Sequence, residues 1–399
     1  MRLARLLFQV SLLLCSHVPA VAAAEKPYSI WMTDSLITRG VPATRWYTEA
    51  TFYRGVEAVA NLTTNPSYNS FLTTSLDSLL LANGTFRAWD YQDHQLDNIR
   101  VGSTLLYLYT LTQSPKYAVA ASFLHNQLVV QQKRTASGGF WHKDPKYPNQ
   151  MWLDGLFMAA PFYAAHTALF QPANTTAWDD ILQQFALIEQ HCKDPRTNML
   201  RHGYDESLRA PWADRSAGSA TVGASPHVWI RAQGWYLMAL VDVLEWFPRG
   251  HAGYQVLVGW FRELAAAVAR EQDPASGGWW LVMDQPYPGQ KGNYVESSGT
   301  AMYTYGLLKG VRRGLFVEGE VAGYAAVAKK AYGLMVERFV ARNGTGGTLN
   351  WEGTVRVGSL DGNGDYKYYT TVPVVENSLI GVGPFILASA EMEMYNAKT

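Results

Sequence analysis

From residue 28 onward the chain alternates two kinds of helical segment, and that alternation leaves few folds open to it. One kind is amphipathic and covers 28–39, 66–82, 115–132, 176–192, 253–271 and 320–341. In 176–192, Trp178, Ile181, Leu182, Phe185 and Ile188 form one stripe, with Asp179, Gln183 and Gln184 outside it. Thr176 and Asp179 have the spacing of a capping box, and Ser114-Pro115 reads as another helix start. The second kind is apolar or aromatic nearly all round and rich in Gly and Ala. It covers 44–60, 97–112, 151–170, 228–247, 296–314 and 376–396. A helix that is hydrophobic on every side is buried on every side, and small residues let its neighbours approach closely.

Six outer–inner pairs recur at about 62 residues each, the scale of a helical-hairpin repeat. An open solenoid would leave a solvent side on its inner helices, and these show hardly any. The pattern predicts an all-α fold, an (α/α)6 barrel of six inner and six outer helices. Short β-hairpin loops are expected at one end, because Ser137–Trp141, Ser276–Trp280 and Gly346–Trp351 each run from glycines into a short β-prone stretch. No linker or charge block splits 25–399, so one domain is expected despite 399 residues.

Residues 1–24 read as a signal peptide. Arg2 and Arg5 precede the apolar run Leu6–Leu14, and Ala20-Val21-Ala22 or Ala22-Ala23-Ala24 offers a cleavage site. The run is too short to span a bilayer. Four sequons, at Asn61, Asn83, Asn174 and Asn343, lie in or beside expected turns and favour a glycosylated eukaryotic secreted protein. Past the leader only Cys192 remains, read as a half-buried thiol ending a helix. Neither a disulfide nor a cysteine-based metal site is then available. Lys+Arg and Asp+Glu both number 33, so nothing suggests a nucleic-acid or membrane partner, and a monomer is expected. Aromatic residues reach 13%, with 14 Trp and 23 Tyr, a compositional hint of carbohydrate handling.

In such a barrel the inner-helix N-termini and the longer loops before them line one end. Polar residues in the first turn of a buried helix are therefore informative. Asp97, Asp154, Arg231, Glu296 and Glu376 hold such positions. Glu296 and Glu376 read best as caps that complement the helix dipole. Asp154 lies slightly inside its helix between Trp152 and Phe157. Desolvation there is expected to raise its pKa and keep it protonated, as a general acid requires. Arg231, between Trp229 and Trp235, reads either as a structural salt bridge to Asp97 or Asp154 or as a clamp on a substrate carboxylate. The two tryptophans read as packing or as sugar platforms. His142 and His202 sit on loops before inner helices, where they favour contact with substrate. No histidine pair has metal spacing, and neither a metal nor a cofactor is expected. Asp361-Gly-Asn363-Gly-Asp365 begins like a calcium loop but has Tyr366 where glycine is required. It reads as a hairpin turn before a Tyr-rich strand.

At these residues the sequence resembles glycoside hydrolase family 105, the unsaturated rhamnogalacturonyl hydrolases. The matching motifs span nearly the whole chain after the leader: RWYTEATFYRG, LDNIRVG, MWLDGLFMAAPF, RHGYDES, VWIRAQGW, YVESSGTAM and GVGPFILASAEME. MWLDGLFMAAPF combined with W-x-R-x-x-G-W is the specific part. The resemblance implies an (α/α)6 barrel and a metal-free reaction on oligosaccharides that carry a 4,5-unsaturated uronic acid. It places the catalytic carboxyl on Asp154, a second active-site carboxyl on Asp97, and substrate contacts on Tyr47, His142, His202, Trp229, Arg231 and Trp235. The implied chemistry protonates C4 of a vinyl ether from Asp154, with Asp97 keeping Asp154 protonated by repulsion and Arg231 or His202 pairing with the uronate. Two departures bear on the sugar accepted: Ala232-Gln233 replaces a commoner Gly-Asn, and Arg100-Val101 follows LDNI. Unsaturated galacturonyl-rhamnose is the expected substrate, with an unsaturated glucuronyl sugar as the close alternative. An endo-acting glycosidase or a non-catalytic sugar-binding barrel would use the same fold. The compact site favours an exo-acting pocket, and a mere binder leaves Asp154 unexplained.

Overall fold

A computed structural model describes residues 26–344 and 347–398. The expected leader, with Cys15, lies outside the described residues, as do Thr345 of the last sequon and Gly346 of the last glycine connector.

Twelve long helices alternate between two layers. The outer ones are α1 (Tyr28–Arg39), α3 (Ser67–Leu79), α5 (Pro115–Asn126), α7 (Thr175–Cys192), α9 (Ala252–Arg270) and α11 (Val321–Arg338). The inner ones are α2 (Tyr47–Leu62), α4 (Gly102–Thr112), α6 (Leu153–Phe170), α8 (Ile230–Val243), α10 (Ser297–Arg312) and α13 (Leu379–Asn396). Each inner helix packs on the next, and α13 packs back on α2, which closes the ring as an (α/α)6 barrel. Close approach depends on glycine. A Cβ on Gly234 would come within 2.7 Å of Met302, and one on Gly299 within 2.4 Å of Ile230. The contrast between layers follows the sequence: every residue of α8 is buried, whereas α9 buries one face.

The connections are unequal. At the C-terminal ends of the inner helices they are short: 63–66, 113–114, 171–174, 244–251 and 313–320. At the N-terminal ends all but 40–46 are long, and all of the long ones except 271–296 contribute strands to two-stranded ribbons. β1 (His94–Gln95) pairs with β2 (Lys143–Asp144), and β3 (Gln150–Trp152) with β6 (Gly203–Asp205). The hairpin of β4 (Lys193–Asp194) and β5 (Met199–Leu200) follows α7, and that of β7 (Val340–Asn343) and β8 (Thr348–Trp351) follows α11. β9 (Thr354–Val355) pairs with β10 (Val374–Val375). Among the described residues no helix is long and apolar enough to cross a membrane.

Several local expectations change. The α7 cap is Asn174, whose side chain accepts from the Ala177 amide, rather than Thr176. Ser114 does cap α5 by position, with Pro115 in the first turn, but its side chain makes no capping bond. The segment expected at 115–132 leaves α-geometry after Asn126 and finishes as a π-turn. Glu376 does not open α13. It lies exposed ahead of the Ser378 cap. The Tyr-rich run is a short helix, α12 (Tyr366–Thr371), capped by Asp365, and not a strand. Cys192 is fully buried rather than half-buried, and burial pushes its thiol pKa well up. All four sequon asparagines are exposed, and Asn61, on the last turn of α2, lies beside the 63–66 connection as expected.

Candidate active site

The ribbons bring separate loops to the mouth where the inner helices begin. Pairing of Trp152 with Gly203 continues into a bond from the Leu153 amide to the His202 carbonyl, at 3.0 Å. This sets His202 beside Asp154, the second residue of α6. Pairing of Gln95 with Lys143 continues into a bond from the Leu96 amide to the His142 carbonyl, at 3.1 Å. That sets His142 and Lys143 against the 3-10 turn Leu96–Ile99, which carries Asp97. Gly155 permits the approach: a Cβ there would lie 2.8 Å from Leu96 and 3.3 Å from His142 Nδ1.

Asp154 Oδ2 stands 3.0 Å from His202 Nε2, yet the approach is oblique and neither atom has a hydrogen-bond partner. His202 is fully enclosed, whereas the Asp154 side chain remains 14% exposed, so the carboxyl is the member of the pair that reaches the mouth. Burial alone would raise the Asp154 pKa. Interaction with His202, with a smaller contribution from His142, outweighs it and holds the carboxyl below its usual range. This corrects the expectation of a protonated resting Asp154. It also removes the repulsion assigned to Asp97, because Lys143 Nζ lies 2.6 Å from Asp97 Oδ2 and neutralises it.

An aromatic wall surrounds the pair. Tyr147 packs on Trp152 at 4.4 Å, His142 stacks on Trp152 at 4.5 Å, and Trp152 meets His202 edge-on at 5.3 Å. His202 lies 4.8 Å from Trp229, which stacks on Tyr369 at 5.5 Å. Burial holds the His142 pKa well below normal, helped by Lys143, so that imidazole is neutral. Its Nδ1 and the Trp229 indole nitrogen have no hydrogen-bond partner. Tyr47 opens α2 at the same mouth. Burial raises its phenol pKa, with Asp97 and Asp154 adding to the effect and Arg231 opposing it.

Two expected substrate contacts sit differently. Trp235 is sealed in the core and stacks on Phe157 at 4.5 Å. Arg231 is 2% exposed. Its Nη1 donates to the Val355 carbonyl at 2.5 Å and its Nη2 to the Arg356 carbonyl, and its plane lies over Trp229. Its nearest carboxylate is Glu296, at 3.9 Å, and not Asp97 or Asp154. Glu296 caps α10 through the Gly299 amide and also accepts from the Val355 amide. Arg231 and Glu296 thus pin the start of the segment that runs through α12. Lys143, Tyr147 and Tyr369 were not singled out from the sequence. Lys143 directly follows His142 and was legible by position, whereas Tyr369 lay hidden in a presumed strand. Among the described residues no acid–histidine–cysteine group could hold a metal ion.

Comparison with known proteins fixes the family. A model described as Glycosyl Hydrolase Family 88 matches residues 27–396. The chain belongs to that family. This family 88 protein is also similar to a solved family 105 glycoside hydrolase from C. acetobutylicum. The two are 35% identical with a TM-score of 0.85, over 92% of this chain and 100% of that one. It is 35% identical over 219 residues to protein Atu3128 of Agrobacterium fabrum, covering 53% of this chain and 89% of that protein. It is 26% identical over 251 residues to the unsaturated rhamnogalacturonyl hydrolase YesR of Bacillus subtilis, covering 62% of this chain and 65% of that protein. The family 88 chain is a glycoside hydrolase of the unsaturated rhamnogalacturonyl and glucuronyl group.

Proposed function

We propose that this enzyme removes the 4,5-unsaturated uronic acid from the non-reducing end of lyase-generated oligosaccharides, with unsaturated galacturonyl-rhamnose as its substrate. The observation that carries this reading is the exposed edge of Asp154, 3.0 Å from an enclosed His202 inside an aromatic wall. One carboxyl that can gain and lose a proton suits hydration of a vinyl ether, which needs acid and then base at one place. Hydrolysis at the anomeric carbon would instead take two carboxylates flanking the scissile bond. The similarity to YesR supports the choice of rhamnogalacturonan fragments.

In the resting protein Asp154 is ionised beside His202. A bound uronate brings its own negative charge, which raises the proton affinity of the pair and makes Asp154 the acid as substrate arrives. Asp154 then gives its proton to C4. The C4–C5 double bond becomes a C4–H bond and an oxocarbenium centre at C5. Water adds at C5 and returns a proton to Asp154. The hemiketal opens at the ring oxygen, and the aglycone leaves from the hemiacetal that remains at C1. Asp97, held by Lys143, positions the sugar with Tyr47. His142 and Trp229 offer unpartnered nitrogens to its hydroxyls. Arg231 acts by holding the wall, and Trp235 by packing beneath it.

We further infer secretion as a glycosylated monomer. The reading is supported by the leader-like residues 1–24 and by four exposed sequon asparagines.

The test is ultraviolet absorbance of the conjugated enol-uronate. Loss of absorbance with wild type but not with Asp154→Asn, fastest on rhamnogalacturonan fragments, is the expected result. Faster loss on glucuronyl oligosaccharides would reassign the sugar, and binding without loss would leave only a sugar-binding barrel.

A further inference from the structure

We propose that Tyr369 is a positioning residue of the catalytic pair: its hydroxyl fixes the tautomer of His202 and so keeps the N–H on Nε2, the ring nitrogen nearest Asp154. The inference rests on the reading of Asp154 as the acid and base of the reaction. Tyr369 arrives from α12, far along the chain from either member of the pair. Its hydroxyl lies 2.8 Å from His202 Nδ1, and its ring is buried and stacked on Trp229. Burial holds the phenol pKa well above its ordinary value, with the charges of Tyr368 and Asp154 adding to the effect, so the hydroxyl keeps its hydrogen.

A neutral imidazole has one N–H and one lone pair. A phenol that donates into Nδ1 leaves the hydrogen on Nε2, the nitrogen 3.0 Å from Asp154 Oδ2. The other tautomer would face the carboxylate with a lone pair. Once Asp154 has protonated C4 it is a carboxylate, and the Nε2–H stabilises it until it takes the proton of the attacking water. Without the phenol hydroxyl both tautomers become accessible, and part of the population holds Asp154 against a lone pair.

The experiment is nitrogen NMR of ¹⁵N-histidine-labelled enzyme without substrate, with His202 assigned by the signals lost in His202→Gln. Wild type is expected to show the Nε2–H tautomer, and Tyr369→Phe a mixture of both. Phenylalanine keeps the stack on Trp229, so the melting temperature should be nearly unchanged. Tyr369→Phe should lower kcat by about tenfold to a hundredfold with KM within about twofold, as expected for an effect on the reacting state alone. That loss should vanish in a His202→Gln background, since Tyr369 acts only through His202. An Nδ1–H tautomer in wild type, or spectra unchanged by Tyr369→Phe, would overturn the proposal. A wild type that turns over no unsaturated uronide would sink the hydrolase reading instead, and the nitrogen spectra would still decide the tautomer.

Discussion

The two ends of the barrel treat charge in opposite ways. At the end where the inner helices finish, ions are matched. Lys309 on α10 reaches Asp242 and Glu245 at 2.7 Å each, and Arg312 grips Glu391 through two nitrogens, both at 2.7 Å. Burial works against the Lys309 charge, yet Asp242, Tyr305 and Glu245 outweigh it and hold its pKa above the ordinary value. At the other end Asp154, His202, His142 and Trp229 all keep atoms without a hydrogen-bond partner. Buried polar groups cost free energy when left unpaired. Neutral groups such as both His166 nitrogens and the Thr167 hydroxyl are unpartnered at the first end too, so the contrast lies in the ions: there they tie helices together, whereas Asp154 is left open to a ligand. The connections agree, short at the first end and long at the second.

The sharpest way to break this comparison is to neutralise one charge at each end. Asp154→Asn should lower kcat by about 10²–10⁴-fold, the range of a lost general acid. Its melting temperature should fall only slightly, because the charge lost is held in place by little beyond its attraction to His202. A large loss of stability would mean that the active end also holds the fold. Lys309→Met should do the reverse. Leaving Asp242 buried without its cation costs about 3–5 kcal/mol in denaturant unfolding, while turnover per folded molecule stays unchanged.

How far the sequence could be read follows the same division. The ring was legible because burial writes itself into composition: α8 and α13 have no polar face to misread. Asp154 was legible because a carboxyl inside MWLDGLF is costly and therefore conspicuous. The charge state of Asp154 was not legible, because it depends on His202, which reaches it across a ribbon from another connection. Arg231 was visible as a costly buried cation, but its partners, the Val355 and Arg356 carbonyls, are backbone atoms that no side-chain pattern announces. Tyr369 was lost because the Tyr- and Thr-rich run YKYYTT suits a strand, and the Asp365 cap that makes it a helix is a three-residue detail.

Two smaller tests sharpen the picture. His166 lies on α6, the helix that carries Asp154, and stacks on His125 at 4.0 Å. Burial lowers its pKa to about 3 from 6.5, with His125 adding to the effect. The unfolded chain binds this proton first, so the folded state loses stability as pH falls from 6.5 towards 3. The slope is at most about 1.4 kcal/mol per pH unit for this one group. Unfolding of His166→Leu followed across that window should show a shallower slope than wild type. Asn174→Ala, which removes the α7 cap at the matched end, should cost about 1 kcal/mol in unfolding free energy and leave kcat unchanged.

The closure of α13 on α2 also bears on how the enzyme is made. Tyr47 enters with the first inner helix, Asp154 with the third, and Tyr369 with the last connection before the ring shuts. A chain still emerging from the ribosome can assemble the ribbon that joins Trp152 to Gly203, but it has neither the phenol nor the wall that Arg231 anchors. The site is therefore complete only once the last connection and the closing helix are made, and a half-made or clipped barrel lacks the parts of the wall that they supply.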